Sequence, residues 1–550
     1  MIVSNKNMNT PETVHTEIDD GREGYSALEI AVFMFLLSAV AVIISLLFFL
    51  NGSLRLDEAQ SLWQTSRSVP AMMNLVAQDV HVPLYHIMLH YWQVLFGNSV
   101  PTGRILSLIF FILLIPATYV LGSRAYSKTT GLFAALLVAV SPFLSWYGNE
   151  IRMYTLFALF TILNQYFFTR IFMDGTNEKD DVPISVWIGY AITAIGGIFT
   201  HYFFAFTLVA QALFFFMYRK DFPRKATRNF AIVAVLIVAA FSPWLYIVVH
   251  LGSAANTQPA LTRPSSIDVF NTFAQFMFGF QDDRTNSIIL SLWPIVVLLI
   301  FLSIRRNRKV EPQTIYLFLC VAVPIVLAFA VSYIWKPIYL TRYLTLTLPS
   351  LYLLVSWVLS TYPLRLERWL KLSLVIVMIS TLSIEAISAK TPVKEDYRAA
   401  ADYISAHATP EDVIVLSAPF TVYPFEYYYN GPVLVQTLPI WNQYAQGPIP
   451  AYSPTELAAD AATLQDSHQT VWLLLSYDQG YEESVRLYYD SHFQRIDAKS
   501  FSPDLTLYAY KLRYDSVPLS TALRYIRENP VLNSGLSSDE ATTTATSSVR

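Results

Sequence analysis

The sequence has little cysteine and little charge. Cys320 is the single cysteine among 550 residues, which excludes an intrachain disulfide and any metal or redox site built from paired cysteines. Charged residues make up 14% of the chain, compared with about 25% in soluble globular proteins. There is no basic stripe outside short loops, so no nucleic-acid partner is expected. The P-loop, GxGxxG and HExxH motifs are absent as well.

Apolar residues dominate instead, at 54% of the chain. A transmembrane helix needs about 20 mainly apolar residues, and runs of that length or nearly so recur along the sequence. The fold class predicted is a polytopic α-helical membrane protein with about 11 transmembrane helices. The candidate spans are 28–50, 104–122, 130–147, 153–172, 185–200, 203–218, 229–249, 286–304, 314–334, 341–360 and 371–388.

Lysine and arginine orient these spans. Five basic residues fall in 219–228, four in 305–309, and a third short loop carries Arg365, Arg368 and Lys371. Because positively charged loops stay in the cytoplasm, the N-terminus is predicted inside and everything after residue 388 outside. The first outer loop, 51–103, contains the short apolar stretch 83–96, which we predict to be a juxtamembrane helix lying in the interface.

Composition changes again near residue 391. We predict a cytoplasmic tail over 1–26, a membrane domain over 27–390, an extracytoplasmic α/β domain over 391–513 and a disordered Ser/Thr-rich tail over 514–550. Ser453 and Glu456 form a predicted capping box with Pro454 at the first helical position. Four buried strands are predicted, at 412–417, 433–438, 470–477 and 505–512.

Asp57 and Glu58 directly follow the first predicted span. Carboxylates near hydrocarbon are costly, which favours a functional role, although a solvated pair in an ordinary loop is the alternative. An arginine or histidine at a span end commonly anchors to headgroups, whereas several acidic residues on one face are harder to explain in this way. Further polar residues lie at the same predicted face: Asp79, His81, Arg104, Asn149, Glu150, Arg152, His201 and Arg342.

These residue types suit glycosyl transfer from a lipid-linked sugar. A polyprenyl phosphate leaving group needs its charge stabilised by arginine or a metal, while the acceptor hydroxyl needs a base such as Asp57. The predicted catalytic residues are Asp57, Glu58 and Glu150. The predicted donor-phosphate ligands are Arg342, Arg104 and Arg152. A divalent metal ion would be held by His81, Asp57 and Glu150, and Asp79 and His201 are further site residues.

Several segments together resemble the C-type membrane glycosyltransferases, specifically the bacterial branch related to protein O-mannosyltransferases and to the lipid A aminoarabinose transferase. The segments are RLDEA, DVHVPLYHIMLHYWQVLFG, TGRIL, SPFLSWYGNEIRMY, THYF and TRYLTLTLP. The resemblance implies a helical bundle with juxtamembrane helices, and a polyprenyl-phosphate sugar donor handled on the outer face of a bacterial plasma membrane. It also implies Asp57 as the catalytic carboxylate and metal binding at His81. The sugar and the acceptor do not follow from it.

Two other functions are weighed against this one. A lipid or glycan flippase would carry charge across the depth of the bilayer and often two similar halves, neither of which the sequence shows. An O-antigen ligase or polymerase would have a large outer loop between late spans, whereas 250–285 is modest. The aromatic run 422–431 has two interpretations, a core strand edge or a surface that stacks on sugar rings.

Overall fold

The fold is described from a computed structural model, over residues 25–79, 81–173, 182–251, 261–306, 310–388, 393–444 and 449–512. The two predicted terminal tails lie almost entirely outside these residues. Seventeen α-helices lie in the first part of the described chain. They are α1 (Ala27–Ile44), α2 (Leu56–Thr65), α3 (Val69–Gln78), α4 (Pro83–Phe96), α5 (Val100–Ala125), α6 (Lys128–Ala139), α7 (Pro142–Gly148), α8 (Tyr154–Phe172), α9 (Ile184–Ile198), α10 (Phe204–Met217), α11 (Arg224–Leu251), α12 (Ser266–Phe278), α13 (Asp283–Ser291), α14 (Trp293–Arg306), α15 (Pro312–Ile334), α16 (Leu348–Ser360) and α17 (Leu364–Ile387).

Within the described ranges, seven helical segments are long and apolar enough to cross a membrane, or up to eight if the bent pair α6–α7 is one span. The prediction of a polytopic helical protein is confirmed at this level, whereas the count of eleven is not. Two of the predicted spans correspond to α9 and α10, which are apolar but short. The predicted juxtamembrane segment 83–96 forms α4, and α2 and α3 precede it in the same loop.

The break between α6 and α7 brings polar residues to one end of the bundle. Pro142 cannot donate a backbone hydrogen bond, and Ser141 caps the new helix by accepting from the Leu144 backbone N–H at 3.1 Å. The two helices differ in direction by 58°. A turn over 149–153 then connects α7 to α8.

Helices α5 and α6 approach closely through glycines. A Cβ added to Gly131 would lie 2.7 Å from the Ser123 backbone nitrogen and 2.8 Å from the Tyr119 carbonyl oxygen. A Cβ on Gly122 would lie 2.8 Å from the Gly131 Cα. Small residues allow this kind of close backbone packing between membrane helices. The contact fixes α5, which carries Arg104.

A small sheet domain follows α17. Its helices are α18 (Tyr397–His407), α19 (Val422–Tyr428), α20 (Pro454–Ser467) and α21 (Glu482–His492), and its strands are β1 (Val413–Ser417), β2 (Leu434–Thr437), β3 (Thr470–Ser476), β4 (Gln494–Ser502) and β5 (Leu505–Lys511). The strand order is β2-β1-β3-β5-β4. Strand β1 runs parallel to β2 and β3, while β5 is antiparallel to β3 and β4.

All four predicted strands are present. Ser453 caps α20 by accepting from the Glu456 backbone N–H, which is the serine half of the predicted capping box. Strand β4 was not predicted, because its largely exposed sequence lacks a continuous apolar run. The aromatic run 422–431 is not a strand edge, since its first seven residues form helix α19, which packs on α2.

Candidate active site

Helix α2 separates the two acidic residues that are adjacent in the sequence. Successive residues of a helix point about 100° apart. Asp57 consequently faces Arg342, whereas Glu58 faces the protein interior and is fully buried. Arg55 is the N-cap residue, and its backbone N–H donates to the Glu58 carboxylate at 3.0 Å, so Glu58 also fixes where α2 begins.

Glu58 and Arg104 form a buried ion pair with two hydrogen bonds. Arg104 donates through Nε at 2.8 Å and Nη2 at 2.6 Å, and the Ile151 backbone N–H donates to the same carboxylate at 3.1 Å. The other Arg104 donors bind the carbonyl oxygens of Phe49, Leu50, Gly52 and Ser53. The Glu58 carboxylate and the Arg104 guanidinium thus find their hydrogen-bond partners inside the protein. Together they fix the position of the segment that connects α1 to α2. This geometry favours a structural role over the predicted catalytic and phosphate-binding roles.

Asp57 and Arg342 form a second, more accessible pair. Arg342 lies on the 3₁₀ turn Thr341–Thr347 before α16, and its Nη1 donates to Asp57 Oδ2 at 2.9 Å. The side chains keep 29% and 23% of their surface exposed, so a substrate can reach both. Burial disfavours the charged form of Asp57, but Arg342, Arg152 and Arg55 outweigh it and hold its pKa well below the usual value.

Arg152 connects Asp57 to the histidine side of the site. Its Nη1 donates to the Asp57 carbonyl oxygen and to Ser61 Oγ, each at 3.2 Å. Its Nη2 lies 3.0 Å from His81 Nε2. Burial, followed by the charge of Arg152, lowers the pKa of His81 well below its usual value, so His81 is neutral at pH 7.

Glu150 is also buried beside a cation, Arg55. Arg55 Nη1 lies 3.1 Å from Glu150 Oε2, and the guanidinium lies 4.2 Å above the Trp146 ring. Neither Glu150 oxygen has a hydrogen-bond partner of good geometry within the described chain. Burial raises the pKa of Glu150, and the charge of Arg55 only partly opposes this. Arg55 escaped the sequence prediction, although its position directly before Leu-Asp-Glu was a signal for it.

Asp79 and His201 support the site from two sides. Asp79 Oδ2 accepts from Gln60 at 2.9 Å and from Gln64 at 3.1 Å, which ties α2 to the end of α3. His201 accepts from the Phe203 backbone N–H at 3.1 Å, and its ring lies 5.1 Å from that of Tyr343, the neighbour of Arg342. Both predicted residues therefore position others.

The predicted metal ligands do not fit a metal ion as they are arranged. His81 lies against Arg152, Asp57 against Arg342, and Glu150 against Arg55. Three guanidinium groups among the donors would repel a divalent cation. Across the described ranges, no group of three or more His, Cys, Asp or Glu residues is placed to hold one. We therefore derive no step through a metal.

Sequence and structure comparisons find related proteins. The sequence model of the dolichyl-phosphate-mannose-protein mannosyltransferase family matches residues 80–247, a range that includes His81, Glu150 and Arg152 but not Asp57 or Arg342. No curated protein matches the chain.

Solved structures share the fold at low identity. ArnT from Cupriavidus metallidurans in the apo state gives a TM-score of 0.58 at 12% identity, covering 87% of this chain and 98% of that one. The same protein bound to undecaprenyl phosphate gives 0.56 at 11%, covering 88% and 98%. The archaeal oligosaccharyltransferase AglB from Archaeoglobus fulgidus, in complex with an inhibitory peptide and a dolichol-phosphate, gives 0.51 at 11%, covering 89% and 75%. The resemblance found in the sequence is thus supported: residues 80–247 match the mannosyltransferase family model, and the fold is similar to those of ArnT and AglB.

Proposed function

We propose that this protein transfers a sugar, with inversion, from a polyprenyl-phosphate-linked donor to a hydroxyl acceptor at the outer face of a bacterial plasma membrane. The observation that carries the proposal is the partly exposed pair of Asp57 and Arg342, joined at 2.9 Å. In this proposal Asp57 is the base and Arg342 is the phosphate-binding cation, the two groups that such a transfer requires. One neighbour in fold was solved with undecaprenyl phosphate bound, which supports a donor of this class.

In the proposed reaction the acceptor oxygen attacks the anomeric carbon and its proton passes to Asp57. The bond from that carbon to the phosphate oxygen breaks, and the phosphate leaves with the electron pair. Arg342 stabilises the charge that develops on the leaving phosphate. The leaving group needs no acid, so a single carboxylate base suffices, and attack opposite the leaving group inverts the anomeric carbon.

The pairing of Arg342 with Asp57 also suggests an order of binding. A carboxylate whose pKa is held low by an adjacent guanidinium is a weak base. When a donor phosphate engages Arg342, it partly neutralises that charge and the pKa of Asp57 rises. The base is thereby strengthened only after the donor has bound.

The outer-face location rests on the distribution of lysine and arginine, with the C-terminal domain outside and the N-terminus in the cytoplasm. A flippase is the weaker alternative. The Asp57, Glu58 and Glu150 ion pairs gather around the start of α2 and the α7–α8 turn, and they do not form a path through the bundle.

The test compares envelope glycans and lipids, by mass spectrometry, from cells with and without the protein. Once the missing sugar addition is identified, Asp57→Asn is expected to abolish it while membrane insertion persists. Asp221→Asn, a matched change at an exposed turn, should restore the addition fully. Full transfer by Asp57→Asn would remove Asp57 as the base.

A further inference from the structure

Four aromatic side chains form a cluster where α2 meets the C-terminal domain. Trp63 lies 5.0 Å from Tyr423 and 5.9 Å from Tyr444, and Tyr423 lies 6.0 Å from Trp441, all between ring centroids. Tyr444 keeps 66% of its surface exposed. We call these four residues the aromatic platform. The other three rings are half-buried where the two parts of the protein meet, whereas the ring of Tyr444 stays accessible to a ligand.

Arg67 lies against this platform. Its guanidinium carbon is 4.3 Å from the Trp63 ring and 5.2 Å from the Tyr444 ring. Arg67 Nε and Trp63 Nε1 are both shielded from solvent and have no hydrogen-bond partner within the described ranges. Unpaired donors are costly, and a shift of either half-buried side chain would bring its donor to a ligand oxygen.

The platform and the proposed base share one rigid element. Trp63 follows Asp57 by six residues on α2, which is about 9 Å along the helix axis. Gln60 and Gln64 lie on the same helix and both donate to Asp79, which holds α2 in place. The six-residue step also turns Trp63 about 120° around the helix from Asp57, so the platform lies on a neighbouring face of α2 and an acceptor bound there extends around the helix to reach Asp57.

We propose that the aromatic platform, with Arg67, is an acceptor subsite and that the acceptor is a carbohydrate. This inference rests on the proposed function, because it names the substrate that delivers the attacking hydroxyl. A sugar ring has an apolar C–H face that stacks on aromatic rings and hydroxyl oxygens at its edge that accept from N–H donors. The platform offers both features together.

The experiment applies the purified full-length protein, in lipid nanodiscs, to an array of immobilised neutral and acidic oligosaccharides, with peptides and phospholipid vesicles as further arms. Wild-type protein is expected to be retained on oligosaccharides. Tyr444→Ala, at an exposed side chain, and Trp63→Ala should bind about tenfold more weakly. Trp63→Phe should recover much of this loss, and Trp335→Ala, at an exposed tryptophan outside the platform, should bind as the wild type does.

Asp57→Asn separates this inference from the proposed chemistry. It should bind oligosaccharides as the wild type does while failing to transfer, so loss of transfer alone leaves the subsite intact. Equal retention of Tyr444→Ala and wild type would overturn the subsite. Retention of the wild type only on peptides or vesicles, or on nothing, would overturn it as well.

Discussion

The buried pair of Glu58 and Arg104 leads to a prediction that separates structure from catalysis. Replacing Arg104 by methionine keeps an apolar stem but removes the guanidinium. Glu58, fully buried, would lose the two hydrogen bonds of 2.8 and 2.6 Å that neutralise it. Four backbone carbonyl oxygens of the loop after α1 would lose a donor in the same change.

Removing one partner of a buried ion pair costs about 3–5 kcal/mol, because the other charge stays buried without compensation. By contrast, the Asp57–Arg342 pair is 23–29% exposed, and Arg152 and Arg55 remain beside Asp57 when Arg342 is replaced, so less charge is left without compensation. Arg104→Met should therefore lower the free energy of unfolding by several kcal/mol, and Arg342→Met by a clearly smaller amount. Arg342→Met is the matched control, since both variants exchange the same residue types.

A double variant tests the physical cause. Adding Glu58→Gln to Arg104→Met removes the uncompensated charge, so the pair of changes should cost about 1–3 kcal/mol less than Arg104→Met alone. The assay is equilibrium unfolding in mixed detergent micelles, followed by tryptophan fluorescence. Donor affinity is measured on the same samples.

The opposite result would refute this reasoning. If Arg104→Met unfolds at the wild-type midpoint and binds the donor at least tenfold more weakly, Arg104 is the phosphate ligand that its position in the sequence first indicated. The loop after α1 would then have to be held by other contacts.

Three further predictions concern the donor, pH and packing. Arg342→Gln should weaken donor binding about tenfold or more with little change in stability, as measured by titration with the lipid donor; unchanged affinity would remove Arg342 from the phosphate site. Burial, with the charge of Arg152, lowers the pKa of His86 to about 3, so the unfolded state binds an additional proton at this residue below about pH 6.5, and His86 contributes a fall of about 1.4 kcal/mol per pH unit to the unfolding free energy from there. His86→Gln should reduce the slope of the unfolding free energy between pH 6.5 and 5 by about this amount, and an unaltered slope would contradict the assignment. Gly131→Ala should destabilise the protein by about 1–3 kcal/mol, because its Cβ would meet backbone atoms at 2.7 and 2.8 Å; an unshifted unfolding midpoint would mean that α5 and α6 can separate at no cost.

Much of the architecture could be predicted from local pattern. Long apolar runs with few charges predicted the membrane helices, and short apolar runs in the C-terminal domain predicted four of the five strands. Strand β4 and the helical state of α19 could not be predicted this way. The first lacks an apolar run, and the second forms where aromatic residues pack on α2.

Most charged residues that gather at the site were predicted from the sequence, whereas Arg55 and the polar residues Gln60, Ser61 and Gln64 were not. The partners of the charged residues were not predicted. Asp57 pairs across 285 positions with Arg342, while the adjacent Glu58 pairs across 46 positions with Arg104. No local pattern distinguishes these two carboxylates.

By itself, the sequence determined that the chain is a helical membrane protein with acidic and basic residues after its first span. Each membrane helix can be recognised from its own run of apolar residues with few charges, without knowledge of its neighbours. Only the tertiary structure decided that one carboxylate is accessible and the other is sealed in the interior. The physical reason is that a helix turns neighbouring side chains in different directions, and the packing of distant helices sets which arginine each one meets.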